Sequence, residues 1–211
     1  MTISDSRRIS KWHRSLLGRP AGRLSGKSAP EADPADENRR YGQIDFEDKF
    51  AAIKLHFGEA GNDTYLHPTF VRQVVDCVKA TGARPFLTDT CTLYKSTRHN
   101  AVDHLETAYR HGFTPYVVDA PVIMADGVTS KCYEEVAVNL KHFASVKIAQ
   151  AFLSANAMVV LSHFKGHAMG GFGGSMKNIA IGCADGRIGK AQVHAIDDVN
   201  NLGISGLPRN V

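Results

Sequence analysis

From about residue 44 onward, apolar positions alternate between short continuous runs and helically spaced sets. "FAAIKLHF" (50–57) is an apolar-rich strand candidate. In "HPTFVRQVVDCVKATG", Phe70, Val71, Val74, Val75 and Val78 fall on one helical face, with Pro68 suited to the first turn and Gly82 to the C-terminal cap. "RPFLTD" (84–89) reads as the next strand. "NAVDHLETAYRHG" reads as a helix capped by Asn100 and ended by Gly112, with Val102, Leu105 and Tyr109 as its inner stripe. "YVVDAPVIMAD" holds one or two strands, "YEEVAVNLKHF" a hairpin or edge pair, and "KIAQAFLSAN" a short helix. "AMVVLS" (157–162) is a continuous apolar run of the kind buried on both faces of a parallel sheet, and "SMKNIAIGC" begins another helix.

This order predicts an α/β protein with a mostly parallel sheet in a Rossmann-like layered domain. The domain is expected over residues 41–195. It follows a disordered tail at 1–40, where Pro, Gly, Ser and charge occur without an apolar period, and precedes an irregular segment at 196–211. In such sheets ligands sit outside the carboxyl ends of the strands, so the loops after Phe57, Asp89 and Ser162 are the ones to watch.

Charge sharpens this picture. The first 30 residues hold seven Lys/Arg against one acid, and the other 181 hold 18 Lys/Arg against 20 acids. The basic character belongs to the tail, and the domain has no basic surface in its composition to favour nucleic acid. The tail lacks the apolar core of a secretory signal, although its Arg- and Ser-rich, acid-poor start is also that of an organelle transit peptide. No stretch has the apolar length of a membrane span. Cys77, Cys91, Cys132 and Cys183 form no C-x-x-C pair, which argues against zinc ribbons and ferredoxin-type clusters, and reduced thiols in a cytoplasmic protein are expected.

Three loops carry candidate chemistry. After the first strand come His56, Glu59 and Asn62 among glycines. After the second come Asp89, Thr90, Thr92, Lys95 and Arg98 before a helix start, a set that suits an anion such as phosphate or carboxylate. Cys91 there reads as a buried bystander, and His104 as a satisfied packing or surface histidine. The third loop, "SHFKGHAMGGFGGSMKN", is the densest. His163 and His167 have the i,i+4 spacing of a helical metal pair, but Gly166 makes that helix doubtful. Gly171, Gly173 and Gly174 precede a helix start and could present backbone N–H groups to an anion. The string matches neither G-x-x-x-x-G-K-[ST] nor G-x-G-x-x-G, so no nucleotide motif is licensed. Lys177 is a charge clamp or nucleophile, with Asn178 beside it and His194 downstream.

"IDFEDKFAAIKLHFGEAGN", "PFLTDTCTLYKSTRHNAVDHLETAYRHGFTP", "VIMADG" and "VVLSHFKGHAMGGFGGSMKNIAIGCA" together resemble a prokaryotic family of unknown function labelled "uncharacterised iron–sulfur-centre protein", over residues 44–194. The resemblance implies an α/β domain followed by a ferredoxin-like segment with two 4Fe-4S clusters. "AIDDVNNLGISGLPRNV" has no cysteine, so the clusters are not supported by the cysteines of this chain, and a truncated member is one reading.

The order His167, "GGFGG", Lys177, His194 is also similar to the nickel-pincer lactate racemase superfamily. That likeness implies Lys177 as a cofactor anchor, His194 as a ligand and His167 as an acid/base, with nickel or another metal bound.

The resulting expectation is a protein whose strand-end pocket takes a small anionic ligand, with catalytic His167 and Lys177 and metal-ligating His163 and His194. A redox module lacking its 4Fe-4S segment and a non-catalytic scaffold are the alternatives.

Overall fold

The computed structural model describes residues 46–167 and 171–194. Contacts divide the chain between Glu47 and Asp48, and the second unit carries all the elements that follow. The segments expected as tails, 1–40 and 196–211, lie outside the described residues.

Four strands, β1 (Phe50–Lys54), β2 (Arg84–Asp89), β3 (Val122–Met124) and β6 (Ala157–Val160), form a parallel sheet in the order β3-β2-β1-β6. The α/β class is as expected. Two antiparallel pairs complete the strands among the described residues: β4 (Tyr133–Ala137) with β5 (Ser145–Ala149), and β7 (Lys165–His167) with β8 (Gly171–Gly173). The helices among the described residues are α1 (Pro68–Lys79), α2 (Ala101–Arg110), α3 (Pro115–Val118), α4 (Gln150–Ser154), α5 (Ser175–Ala180) and α6 (Ile188–Val193).

Local chemistry sets the helix ends. Pro68 starts α1, where a missing N–H is harmless. Asn100 caps α2, its Oδ1 accepting from the Asp103 N–H at 3.0 Å. Gly82 and Gly112, both at positive φ, follow the two helices.

Two-residue alternation in β1 builds two layers. Ile53 and Leu55 join Val71, Val75, Leu87, Ala108 and Phe113 in the larger apolar cluster. Ala52 joins Phe86, Ala125, Ala149 and Phe152 in the smaller one. Lys54 shares the parity of Ala52, so its side chain enters the second layer, where it is 1% exposed.

Several expected faces are rotated. In α1, Val71 and Val75 are buried but Phe70 is exposed. In α2, Val102 and Tyr109 are exposed, and His104, Thr107 and Ala108 form the buried face with Leu105 packed beside them. The apolar count favoured the wrong side of α2, because the fold buries a histidine and a threonine there. The 157–162 run is not buried on both faces: Met158 is exposed and the other residues of the run are half-buried. "YVV" forms α3 rather than a strand, and "YEEVA" pairs with Ser145–Ala149.

Candidate functional site

The sheet order places β2 on one side of β1 and β6 on the other. Loops leaving β1 and β6 therefore diverge, and in α/β sheets generally ligands bind at such a switch point. The polar residues gather at the carboxyl ends of these strands.

Lys54, the last residue of β1, donates to Asp89 Oδ1 at 2.7 Å and to Asn178 Oδ1 at 2.7 Å. Asn178 in turn donates to the Leu161 carbonyl and to Ser162 Oγ, both at 2.9 Å, which ties α5 to the end of β6. Gly182 leaves room for the lysine head, since a Cβ there would stand 2.8 Å from Lys54 Nζ. Burial alone would raise the Asp89 carboxyl. The Lys54 ammonium, helped by His104, His56 and Lys190, overrides it and holds the carboxyl well below the usual range.

The loop after β2 is pinned below the surface. Asp89 Oδ1 accepts from the Thr90 N–H at 2.8 Å, and Thr90 Oγ1 donates to the Gly182 carbonyl at 2.9 Å. Lys190, 7% exposed, donates to Thr90 Oγ1 at 2.7 Å and to the Cys91 carbonyl. Burial lowers its pKa to about 8, against the opposing fields of Asp89 and Asp126. Asp126 Oδ2 accepts from the N–H groups of Cys91 at 3.0 Å and Gly186 at 2.9 Å, and burial pushes its carboxyl up. Thr92 holds the rest of the loop, its Oγ1 donating to the Tyr94 carbonyl at 2.8 Å.

Arg98 is buried and pairs with Glu59, so the loops after β1 and β2 close on each other. Tyr94 completes the contact, accepting from Arg98 at 3.1 Å and donating to Glu59 at 3.3 Å. Burial, reinforced by Arg98, lowers the His56 pKa to about 4, and Nδ1 accepts from the Gly58 N–H at 2.9 Å. Gly58 has φ +93°, and a Cβ there would meet Tyr65 at 2.5 Å and His111 at 2.7 Å, so glycine is required. His104 is fully buried, and neither ring nitrogen has a hydrogen-bond partner among the described residues. Burial lowers its pKa to about 3, so it is a neutral imidazole facing the charged groups.

His56, Glu59, Asp89, Thr90, Thr92, Arg98 and Asn178 thus come together at neighbouring strand ends. Asn62 does not join them: it closes an exposed turn, accepting from Thr64 N–H and Oγ1, each at 2.7 Å. Lys95 and His163 are exposed. Lys54, Asp126 and Lys190 drew no reading from the sequence, and His104, read as a satisfied packing or surface histidine, is buried with its ring nitrogens unpartnered among the described residues. The only sequence signal for Lys54 was a lysine inside an otherwise apolar strand.

The Gly-rich stretch differs from an open anion-binding loop. Gly171 and Gly173 belong to β8, paired in register with His167 and Lys165, and Gly174 precedes α5. His167 ends a strand, so the helical i,i+4 reading of His163 and His167 is replaced by a hairpin. That hairpin brings His167 Nε2 into contact with Lys177 Nζ. Burial, then the Lys165 charge, lowers the Lys177 pKa. His194, at the end of α6, is lowered by burial and then by Lys177 and Lys190.

A 4Fe-4S cluster does not fit these residues. The four cysteines are free thiols, and among the described residues no three of them, alone or with His, Asp or Glu, gather as a metal site. His163 and His194, expected as metal ligands, likewise have no set of three His, Cys, Asp or Glu side chains gathered around them among the described residues. No helix among the described residues is long and apolar enough to cross a membrane. A hollow of about 570 Å³ lined by Phe50, Pro85, Phe86, Pro121 and Ile123 lies at the opposite ends of the strands, away from this chemistry.

Residues 51–203 match the model of the family described as Domain of unknown function (DUF362), and the chain belongs to that family. No curated protein and no solved structure matches it.

Proposed function

We propose that the strand-end crevice binds a small anionic molecule, a carboxylate or a phosphate, with Lys177 and His167 at its reactive edge. The observation that carries this reading is the Lys177–His167 contact, set beside buried cationic groups at the sheet's switch point. Arg98 and Lys190 supply fixed positive charge, and neutral His56 supplies a ring able to exchange a proton. The lowered pKa leaves a larger neutral fraction of the Lys177 amine, which can add to a carbonyl carbon; the adjacent imidazole takes each proton the nitrogen loses and returns it to the carbonyl oxygen, which departs as water to leave an imine. As an ammonium the same group clamps an anion.

Thermal-shift titration with pyruvate, acetate and inorganic phosphate tests the reading. A rise in Tm with at least one anion is expected, reduced in Lys177→Ala and in Arg98→Met. Pyruvate with borohydride should leave a reduced adduct on Lys177, read by peptide mass spectrometry. Absence of any shift across the three anions would remove the ligand reading.

A further inference from the structure

The α5 segment is held in an unusual way. Every residue of α5 is exposed or half-buried, so apolar burial does not fix it. What fixes it is polar and lies beneath it. Lys54 donates to Asn178 at 2.7 Å, Asn178 donates to the end of β6, and Thr90 donates to the Gly182 carbonyl. A hydrogen bond from a buried ammonium is directional and short-ranged, so it sets position more sharply than greasy contact does. Asn178 follows Lys177 directly in the chain. Moving the Asn178 side chain by one hydrogen bond therefore moves the Lys177 backbone with it.

We propose that Lys54 is a positioning residue for Lys177: through Asn178 it holds α5 so that the Lys177 amine meets His167. The idea rests on the reading of Lys177 as a reactive group. Lys54 stays below the crevice floor, acting on the amine only through Asn178. Asp89, its second partner, holds the ammonium in place at 2.7 Å. The sheet core and the surface amine are thereby coupled through one lysine.

Site-resolved acetylation tests this with the full chain, across pH, read by peptide mass spectrometry, with exposed Lys95 as internal reference. In the native chain Lys177 should react several-fold faster than Lys95 near neutral pH. In Lys54→Met and in Asn178→Leu that advantage should be lost, and the pH profile of Lys177 should move toward that of Lys95. Val75→Ala, in the apolar core under α1, lowers stability without touching Lys54, and there the Lys177 profile should stay native. Should Lys54→Met fail to fold, Asn178→Leu carries the test alone. A fast native Lys177 whose profile is unchanged in the variants overturns this inference and leaves the anion reading standing. A native Lys177 no faster than Lys95 overturns both the inference and the reactive role of Lys177, while anion binding is still read by the thermal shift.

Discussion

Lys54 and Asp89 form a 2.7 Å ion pair across the ends of two neighbouring parallel strands, with side chains 1% and 5% exposed. Breaking a buried pair by removing one partner leaves a buried charge uncompensated, which costs about 3–5 kcal/mol. Asp89→Asn and Lys54→Met should each lower unfolding free energy by roughly that amount in urea titrations. The double variant Lys54→Met/Asp89→Asn should lose less than the sum of the two single losses. Full additivity would mean that the two charges are not coupled.

The histidines predict loss of stability in acid. His56 and His104 have folded pKa values lowered to about 4 and about 3, from 6.5. Below pH 6.5 the unfolded chain takes up protons that the folded chain refuses, so stability is full above that pH and declines through it toward pH 4. Urea midpoints measured from pH 7.5 to 4.5 should fall, and the slope should be shallower in His104→Leu. An unchanged slope in that variant would show that His104 is not the source.

His104→Leu should also be neutral or stabilising at pH 7. The ring nitrogens have no partner among the described residues, and an unpaired buried polar group costs about 1–3 kcal/mol. A loss of more than about 2 kcal/mol would mean that the ring makes a bond that these contacts do not account for.

Lys190 predicts the opposite limb. Its folded pKa is lowered to about 8 from 10.5, so between these values the unfolded chain binds the extra proton and stability rises with pH. Lys190→Met should flatten that rise in denaturation series from pH 7.5 to 10. A native chain with no alkaline rise would place Lys190 in a more polar setting than the geometry gives.

Gly58→Ala should destabilise the loop after β1. Its φ of +93° disfavours any side chain, and a Cβ would press on Tyr65 and the His111 ring. A loss of at least about 1–2 kcal/mol is expected, with altered packing of the Tyr65–His111 stack visible by NMR. A silent substitution would contradict the strained turn.

Much of the architecture was legible because it is written in local chemistry. Apolar runs, Pro68, Asn100 and the glycines after two helices fix strands and helices from residues within a turn of one another. The same local signals named the strand-end loops, whereas the choice of His167 and Lys177 as a pair rested partly on the resemblance to the nickel-pincer superfamily.

What they left out is long-range. Apolar periodicity marked Val102 and Tyr109 as the inner face of α2, yet the fold buries His104 and Thr107, because the groups they face come from other strands. The decisive contact of Lys54 is with Asn178, 124 residues away, and that of Lys190 is with Thr90, 100 residues away. By itself the sequence determined the strands of the parallel sheet, the two long helices and which loops carry polar chemistry, but not α3 or the β7–β8 pair. Only the tertiary structure decided which charges meet, because a buried lysine is tolerated where partners from distant segments arrive together.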